Sequence, residues 1–162
     1  MLLWGFILGL GETIAVPYTL PLMPHYLFVY GTLMRAFDNQ YAKTLQQNAN
    51  LIGTASLIGC LYDIGEYPGA VHDDRSRSTI YGELYHFSSP SLLMLLDEYE
   101  GFDPKSPDSS EYRRIKVQAL CEDKCYESWF YHYNFNTDSL YRIKSGDYLS
   151  YIESQKPTDI SP

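Results

Sequence analysis

Tyr26-Leu27-Phe28-Val29-Tyr30-Gly31-Thr32-Leu33 is the stretch whose reading settles the fold. Its first residues are a run of aromatic and branched side chains, the pattern of a buried β-strand. The run breaks at Gly31, whose missing Cβ permits unusual backbone angles and close approach of another group. Thr32 then offers a hydroxyl and a backbone N–H at the strand's end, where α/β folds tend to bind ligands. Successive N–H groups at such a corner can hold an anion or a developing oxyanion. One glycine with no following Gly-Lys-Ser/Thr is not a phosphate loop. Taken by itself, the corner reads equally well as a plain strand end.

The chain around it has 162 residues, one domain's worth and enough for a sizeable core. Its 45% hydrophobic and 15% aromatic composition belongs to a folded protein. Sixteen tyrosines suit half-buried strands and pocket walls, because Tyr has an apolar face and a polar tip. The net charge of −8, from 12 basic and 20 acidic residues, argues against nucleic acid, whose phosphates demand a basic stripe. No Lys/Arg-rich run offers a polybasic membrane contact. Cys60, Cys121 and Cys125 form no disulfide framework and point to a reducing, cytoplasmic setting. Cys121 and Cys125 flank a predicted hairpin turn, across which they could face each other. No second cysteine pair or suitably spaced His completes a zinc set, so strand-end cysteines are expected.

Residues 1–23 read as an N-terminal extension, poorly packed, ahead of a compact domain over 24–151 and a tail over 152–162. The extension's apolar start lacks the basic residues of a signal peptide, and Glu12 and Pro17 interrupt it before a bilayer's width.

Working outward, a short helix is predicted over residues 41–47 and one or two short strands over 51–61. A turn is expected at Pro68-Gly69, followed by a surface loop to residue 78. Residues 79–87 alternate as a strand, with Gly82 marking a bulge or a close approach. Ser89 as N-cap and Pro90 at the first position start a helix that runs to Glu100 and stops at Gly101. Leu92, Leu95, Leu96 and Tyr99 form its expected core face. Residues 102–110 form a loop, and 111–120 and 126–133 pair as a hairpin rich in aromatics. Residues 143–148 turn into a short tail helix, and 156–162 fray. The order is that of an α+β protein with mostly antiparallel or mixed strands.

Glu100 is the sharpest candidate for chemistry. A helix C-terminus is electrically negative, which disfavours a carboxylate by up to about 1 kcal/mol. A charge placed against that field is a local conflict of the kind found at functional sites. The field, and burial among aromatic residues, would raise its pKa and suit it to general-base work near neutral pH. The ordinary alternative is a solvated Glu at a helix end. Asp97 and Glu98 read as solvated surface on other faces. No Gly-x-Ser-x-Gly elbow or Cys-His signature supports a nucleophile.

Together these pieces resemble the gamma-glutamylcyclotransferase-like family, its gamma-glutamylamine cyclotransferase branch in particular. The match runs in order through Phe28-Val29-Tyr30-Gly31-Thr32-Leu33; Gly59-x-Leu61-Tyr62-Asp63 with Tyr67-Pro68-Gly69; Gly82-Glu83-Leu84-Tyr85; Leu96-Asp97-x-x-Glu100-Gly101; Tyr112-x-Arg114; and Ser145-Gly146-Asp147. The resemblance implies a small mixed β-barrel with flanking helices. It implies conversion of a small-molecule gamma-glutamyl amine or peptide to 5-oxoproline and a free amine, with no metal or cofactor. It assigns catalysis to Glu100, and substrate binding to Tyr30, Gly31, Thr32 and Leu33, with Tyr112 lining the pocket. The family also includes enzymes for gamma-glutamyl amino acids, for gamma-glutamyl-lysine and for an antibiotic intermediate. A non-catalytic small-molecule binding domain with the same pocket is the alternative. A third reading makes the aromatic segment Trp129 to Tyr133 an interaction surface.

Overall fold

In the computed structural model, which describes residues 3–5, 16–18 and 25–156, strands β1 (Leu3–Gly5) and β2 (Val16–Tyr18) pair antiparallel in a small sheet of their own. The rest of the 1–23 extension and residues 157–162 lie outside the described residues. Then come β3 (His25–Val29), α1 (Gln40–Asn48), β4 (Asn50–Asp63), β5 (Pro68–His72), β6 (Thr79–Phe87) and α2 (Ser91–Tyr99). A 3-10 turn at Pro107–Ser109 leads to β7 (Tyr112–Cys121) and β8 (Lys124–Tyr133), then β9 (Tyr141–Arg142) and α3 (Tyr148–Ser154).

Five strands close into a barrel in the order β4-β6-β3-β8-β7, with β7 returning to β4 through Ala55↔Cys121 and Ser56↔Leu120. The barrel is mixed: β3 runs parallel to β8 and antiparallel to β6. The expected α+β barrel with flanking helices is therefore the observed fold. Leu27 and Phe28, adjacent in β3, are both fully buried, as an apolar run between two neighbouring strands requires. α1 adds Ala42 and Leu45 to the core.

Several local expectations are corrected. Residues 51–61 are not two short strands but part of the 14-residue β4. Its first part pairs with β6 and its last five residues, from Gly59, with β5, so one strand serves two partners. Pro68-Gly69 is not the turn but the start of β5. The turn lies one step earlier, where the Asp63 carboxylate accepts from the Gly65 N–H at 2.9 Å and the Ile64 N–H reaches the Tyr67 carbonyl at 3.3 Å. Proline is tolerated at Pro68 because β5 is an edge strand and this is its first residue. Cys121 and Cys125 do not face each other: Cys121 opposes Lys124, and it is buried while Cys125 is exposed. The aromatic stretch on β8 is no surface patch, since Phe130, Tyr131 and Tyr133 lie in the core.

Gly82 meets the expectation of close approach: a Cβ there would stand 2.0 Å from the Val29 carbonyl oxygen. The absent side chain lets β6 lie tightly on β3 at the end where Tyr30 begins. The α2 face also shifts. Leu92, Leu93 and Leu96 are buried, whereas Leu95 is exposed. Ser89 does not cap the helix through its side chain; its hydroxyl pairs with that of Ser91 at 2.6 Å. Pro90 does have helical angles (φ −59°, ψ −21°). No helix among the described residues is long and apolar enough to cross a membrane.

Candidate active site

The C-terminus of β3 and the C-terminus of α2 meet at one cleft of about 180 Å³. All six residues singled out in the sequence line it: Tyr30, Gly31, Thr32 and Leu33 from the corner after β3, Glu100 from the end of α2, and Tyr112 from the start of β7.

The corner is shaped by a turn, with the Met34 N–H bonded to the Gly31 carbonyl at 3.0 Å. The Asn39 side-chain amide donates to the Thr32 carbonyl at 2.6 Å, and its oxygen accepts from the Ala42 N–H at 2.8 Å, capping α1. One side chain thus fixes the corner to the following helix. The backbone N–H groups of Gly31, Thr32 and Leu33 donate to no protein group among the described residues. Three free donors on the wall of a concave site suit a carboxylate or an oxyanion.

Glu100 is the residue on which α2 ends. The Phe102 N–H reaches back to the Asp97 carbonyl at 2.8 Å and the Gly101 N–H to the Glu98 carbonyl at 3.3 Å. With Gly101 at φ +64°, this is the left-handed stop that glycine allows at a helix end. The Glu100 carboxyl has no hydrogen-bond or ionic partner among the described protein groups. Burial pushes its pKa up to about 8, with the negative charges of Glu111 and Asp97 adding to the rise. Burial, rather than the field of the helix end, is the main cause, because losing water disfavours the charged form directly.

The cleft walls are tyrosines. The Thr32 hydroxyl and the Tyr99 hydroxyl share a hydrogen bond of 2.8 Å, tying the corner to α2. The Tyr30 hydroxyl donates to the Tyr131 carbonyl, and that of Tyr112 to the Pro68 carbonyl, each at 2.8 Å. Burial holds both phenols well above their ordinary pKa, so they act as neutral donors.

Asp97 corrects the sequence reading most clearly. It is 8% exposed, and it accepts from the Tyr131 hydroxyl at 2.8 Å and faces the Arg114 guanidinium at 3.4 Å. Its distance of three residues from Glu100 puts both on one side of the helix, a spacing visible in the sequence. Tyr67, Tyr99, Glu111 and Tyr131 also line the cleft and were not singled out as site residues. Tyr99 could have been found from its place beside Glu100. Glu111 could not: the alternation over 111–120 includes it, but it stands one residue before β7, and nothing local shows that it lines a cleft.

A family model described as gamma-glutamyl cyclotransferase, AIG2-like, matches residues 27–150. The gamma-glutamylcyclotransferase family protein YtfP of Escherichia coli is 33% identical over 124 residues, covering 76% of this chain and 95% of its own. The crystal structure of YkqA from Bacillus subtilis aligns with a TM-score of 0.63 at 27% identity, over 83% of this chain and 44% of that one. An AIG2-like protein from mouse shares the fold at a TM-score of 0.61 and 20% identity, over 77% of this chain and 88% of its own.

Proposed function

The chain belongs to the gamma-glutamyl cyclotransferase, AIG2-like family, and on that premise we propose that it converts a gamma-glutamyl amine to 5-oxoproline and a free amine, with Glu100 as general base and then general acid. The observation that carries this reading is the unpaired Glu100 carboxyl in the same cleft as three free N–H groups, those of Gly31, Thr32 and Leu33.

The reaction asks for little beyond what these groups offer. The substrate's α-ammonium must lose a proton before its nitrogen can attack the γ-carbonyl carbon. The Glu100 carboxylate takes that proton. With a pKa of about 8 it is about one-tenth ionised at pH 7 in the free protein, and a bound ammonium favours the ionised form. Attack forms the ring C–N bond and a tetrahedral oxyanion. Collapse breaks the bond to the departing nitrogen, which receives the proton from Glu100; the ring nitrogen, still holding one proton more than the lactam, gives it up through the Glu100 carboxylate, and the amine leaves as an ammonium. The steps are redox-neutral and balance without a cofactor.

Because nucleophile and electrophile belong to one molecule, a site that folds the substrate toward a ring removes much of the barrier by proximity. The corner's N–H groups hold the α-carboxylate or the oxyanion, and the tyrosine walls exclude water. The three free thiols fit a reducing, cytoplasmic setting.

The test is to incubate the purified chain with a panel of gamma-glutamyl amines and quantify 5-oxoproline. Release from at least one member, lost in Glu100→Gln, is the expected result. Binding without release across the panel would instead favour a non-catalytic binding domain.

A further inference from the structure

One carboxylate of the cleft, that of Glu111, takes no part in this chemistry. Glu111 lines the cleft together with Glu100 and is only partly exposed. Its carboxylate accepts from the Tyr67 hydroxyl at 3.3 and 3.4 Å and has no cationic partner among the described residues. The two buried carboxylates, Asp97 and Glu83, are by contrast neutralised. Asp97 has Arg114, and Glu83 has Arg35 at 3.0 Å together with the Tyr85 hydroxyl and the Arg35 N–H. Among the described residues no Lys or Arg lines the cleft at all. The site therefore presents two carboxyl groups and no cation to whatever enters.

One of those carboxyls is accounted for: Glu100 takes the proton of the ammonium common to every gamma-glutamyl substrate. Glu111 is the second: it accepts from the hydroxyl of exposed Tyr67 and stands one residue before β7, leaving its charge for another part of the substrate. The walls between are Tyr67 and Tyr112, whose ring faces suit an alkyl chain or a cation. The overall net charge of −8 adds long-range attraction for a cation and repulsion for an anion.

Resting on the cyclotransferase reading, we propose that Glu111 is a specificity residue that selects substrates whose departing amine carries a second positive charge, as a gamma-glutamyl diamine does, over those whose departing amine carries a carboxylate. Its influence on Glu100 agrees, since of the two neighbouring charges that raise the Glu100 pKa, Glu111 is the larger. A cation bound at Glu111 relieves that effect and leaves Glu100 more fully ionised for its proton transfer. Binding the right departing group thus helps switch on the base.

Three substrates of matched length distinguish the possibilities: gamma-glutamyl-1,4-diaminobutane, gamma-glutamyl-pentylamine and gamma-glutamyl-4-aminobutyrate. Rates of 5-oxoproline release give kcat/KM for each, and calorimetry gives Kd independently of turnover. The full chain is expected to favour the diamine over the neutral amine by about tenfold or more, with the carboxylate substrate poorest. In Glu111→Gln the diamine-to-neutral ratio is expected to fall to about twofold or less, and Glu111→Lys should move preference toward the carboxylate substrate. The preference should also shrink as salt is raised. Equal kcat/KM across the three overturns the proposal. So does an unchanged ratio in Glu111→Gln. An equal loss on all three in that variant overturns it as well, by assigning Glu111 to the glutamyl group they share. If none is turned over but the diamine still binds preferentially through Glu111, the selectivity stands and the cyclotransferase reading falls.

Discussion

Asp97 and Glu100 lie three residues apart on one side of α2, yet their charges have opposite surroundings. Behind the cleft, Asp97 is held by the Tyr131 hydroxyl and the Arg114 guanidinium, which is itself stacked 4.8 Å from the Trp129 ring centre and 5.7 Å from that of Phe102. Inside the cleft, Glu100 has neither donor nor cation. Burial raises the pKa of both, but the partners of Asp97 oppose the rise, while the neighbours of Glu100 are negative and reinforce it. The first arrangement fixes the end of a helix. The second leaves a carboxyl without a partner, at a cost in stability. A single turn of helix thus joins a paired carboxyl to an unpaired one.

Removing the unpaired member should have the largest effect. Glu100→Gln is expected to lower 5-oxoproline release by about 10²–10⁴-fold, the usual weight of a general acid–base group. The same variant should melt higher than the parent. Glu100 titrates near 8 in the folded chain against an ordinary 4.5, so the folded state holds an extra proton between those values, and parental stability falls as pH rises through them. The gain from glutamine should therefore be near zero below pH 4.5 and full above about pH 8. Thermal melts at pH 5 and pH 9 check this, and a variant less stable at pH 9 would break the contrast with Asp97.

Removing the structural member should act the other way. Asp97→Ala leaves Arg114 largely buried and without its partner, and is expected to cost about 2–4 kcal/mol in urea unfolding. In the milder Asp97→Asn, one negative neighbour of Glu100 is lost. The acid limb of the kcat/KM profile should then move to lower pH.

Gly31→Ala probes the corner that faces the carboxyl. Its Cβ would lie 2.8 Å from the Pro68 Cγ, so either the ring or the corner must shift, at about 1–3 kcal/mol. The N–H groups move with the corner, and the substrate's KM should rise. The smallest effect is expected at the link between the two sides. Thr32→Val removes the hydroxyl bonded to Tyr99 and should cost about 0.5–1.5 kcal/mol, read from denaturant midpoints.

Residues 26–33 announced the buried strand and its break because both signals are local: a run of apolar side chains, then a residue without a Cβ. Alternation over residues 79–87 gave β6, and Gly101 gave the stop of α2, for the same reason. Where the signal was shared between partners, local reading failed. β4 looked like two strands because its halves face different neighbours, and Pro68-Gly69 looked like a turn because only the sheet shows that β5 is an edge.

The sequence by itself determined which side chains stand at each element's end: the free corner after β3, the carboxyl before Gly101, and the tyrosine opening β7. Tertiary structure alone decided their surroundings. Closure of the barrel brings Arg114 from β7 to Asp97 and leaves Glu100 and Glu111 without a cation in one cleft. A carboxyl's chemistry depends on the water and charge within a few ångströms. Those neighbours come from β7 and from the corner after β3, more than ten and more than sixty residues away along the chain.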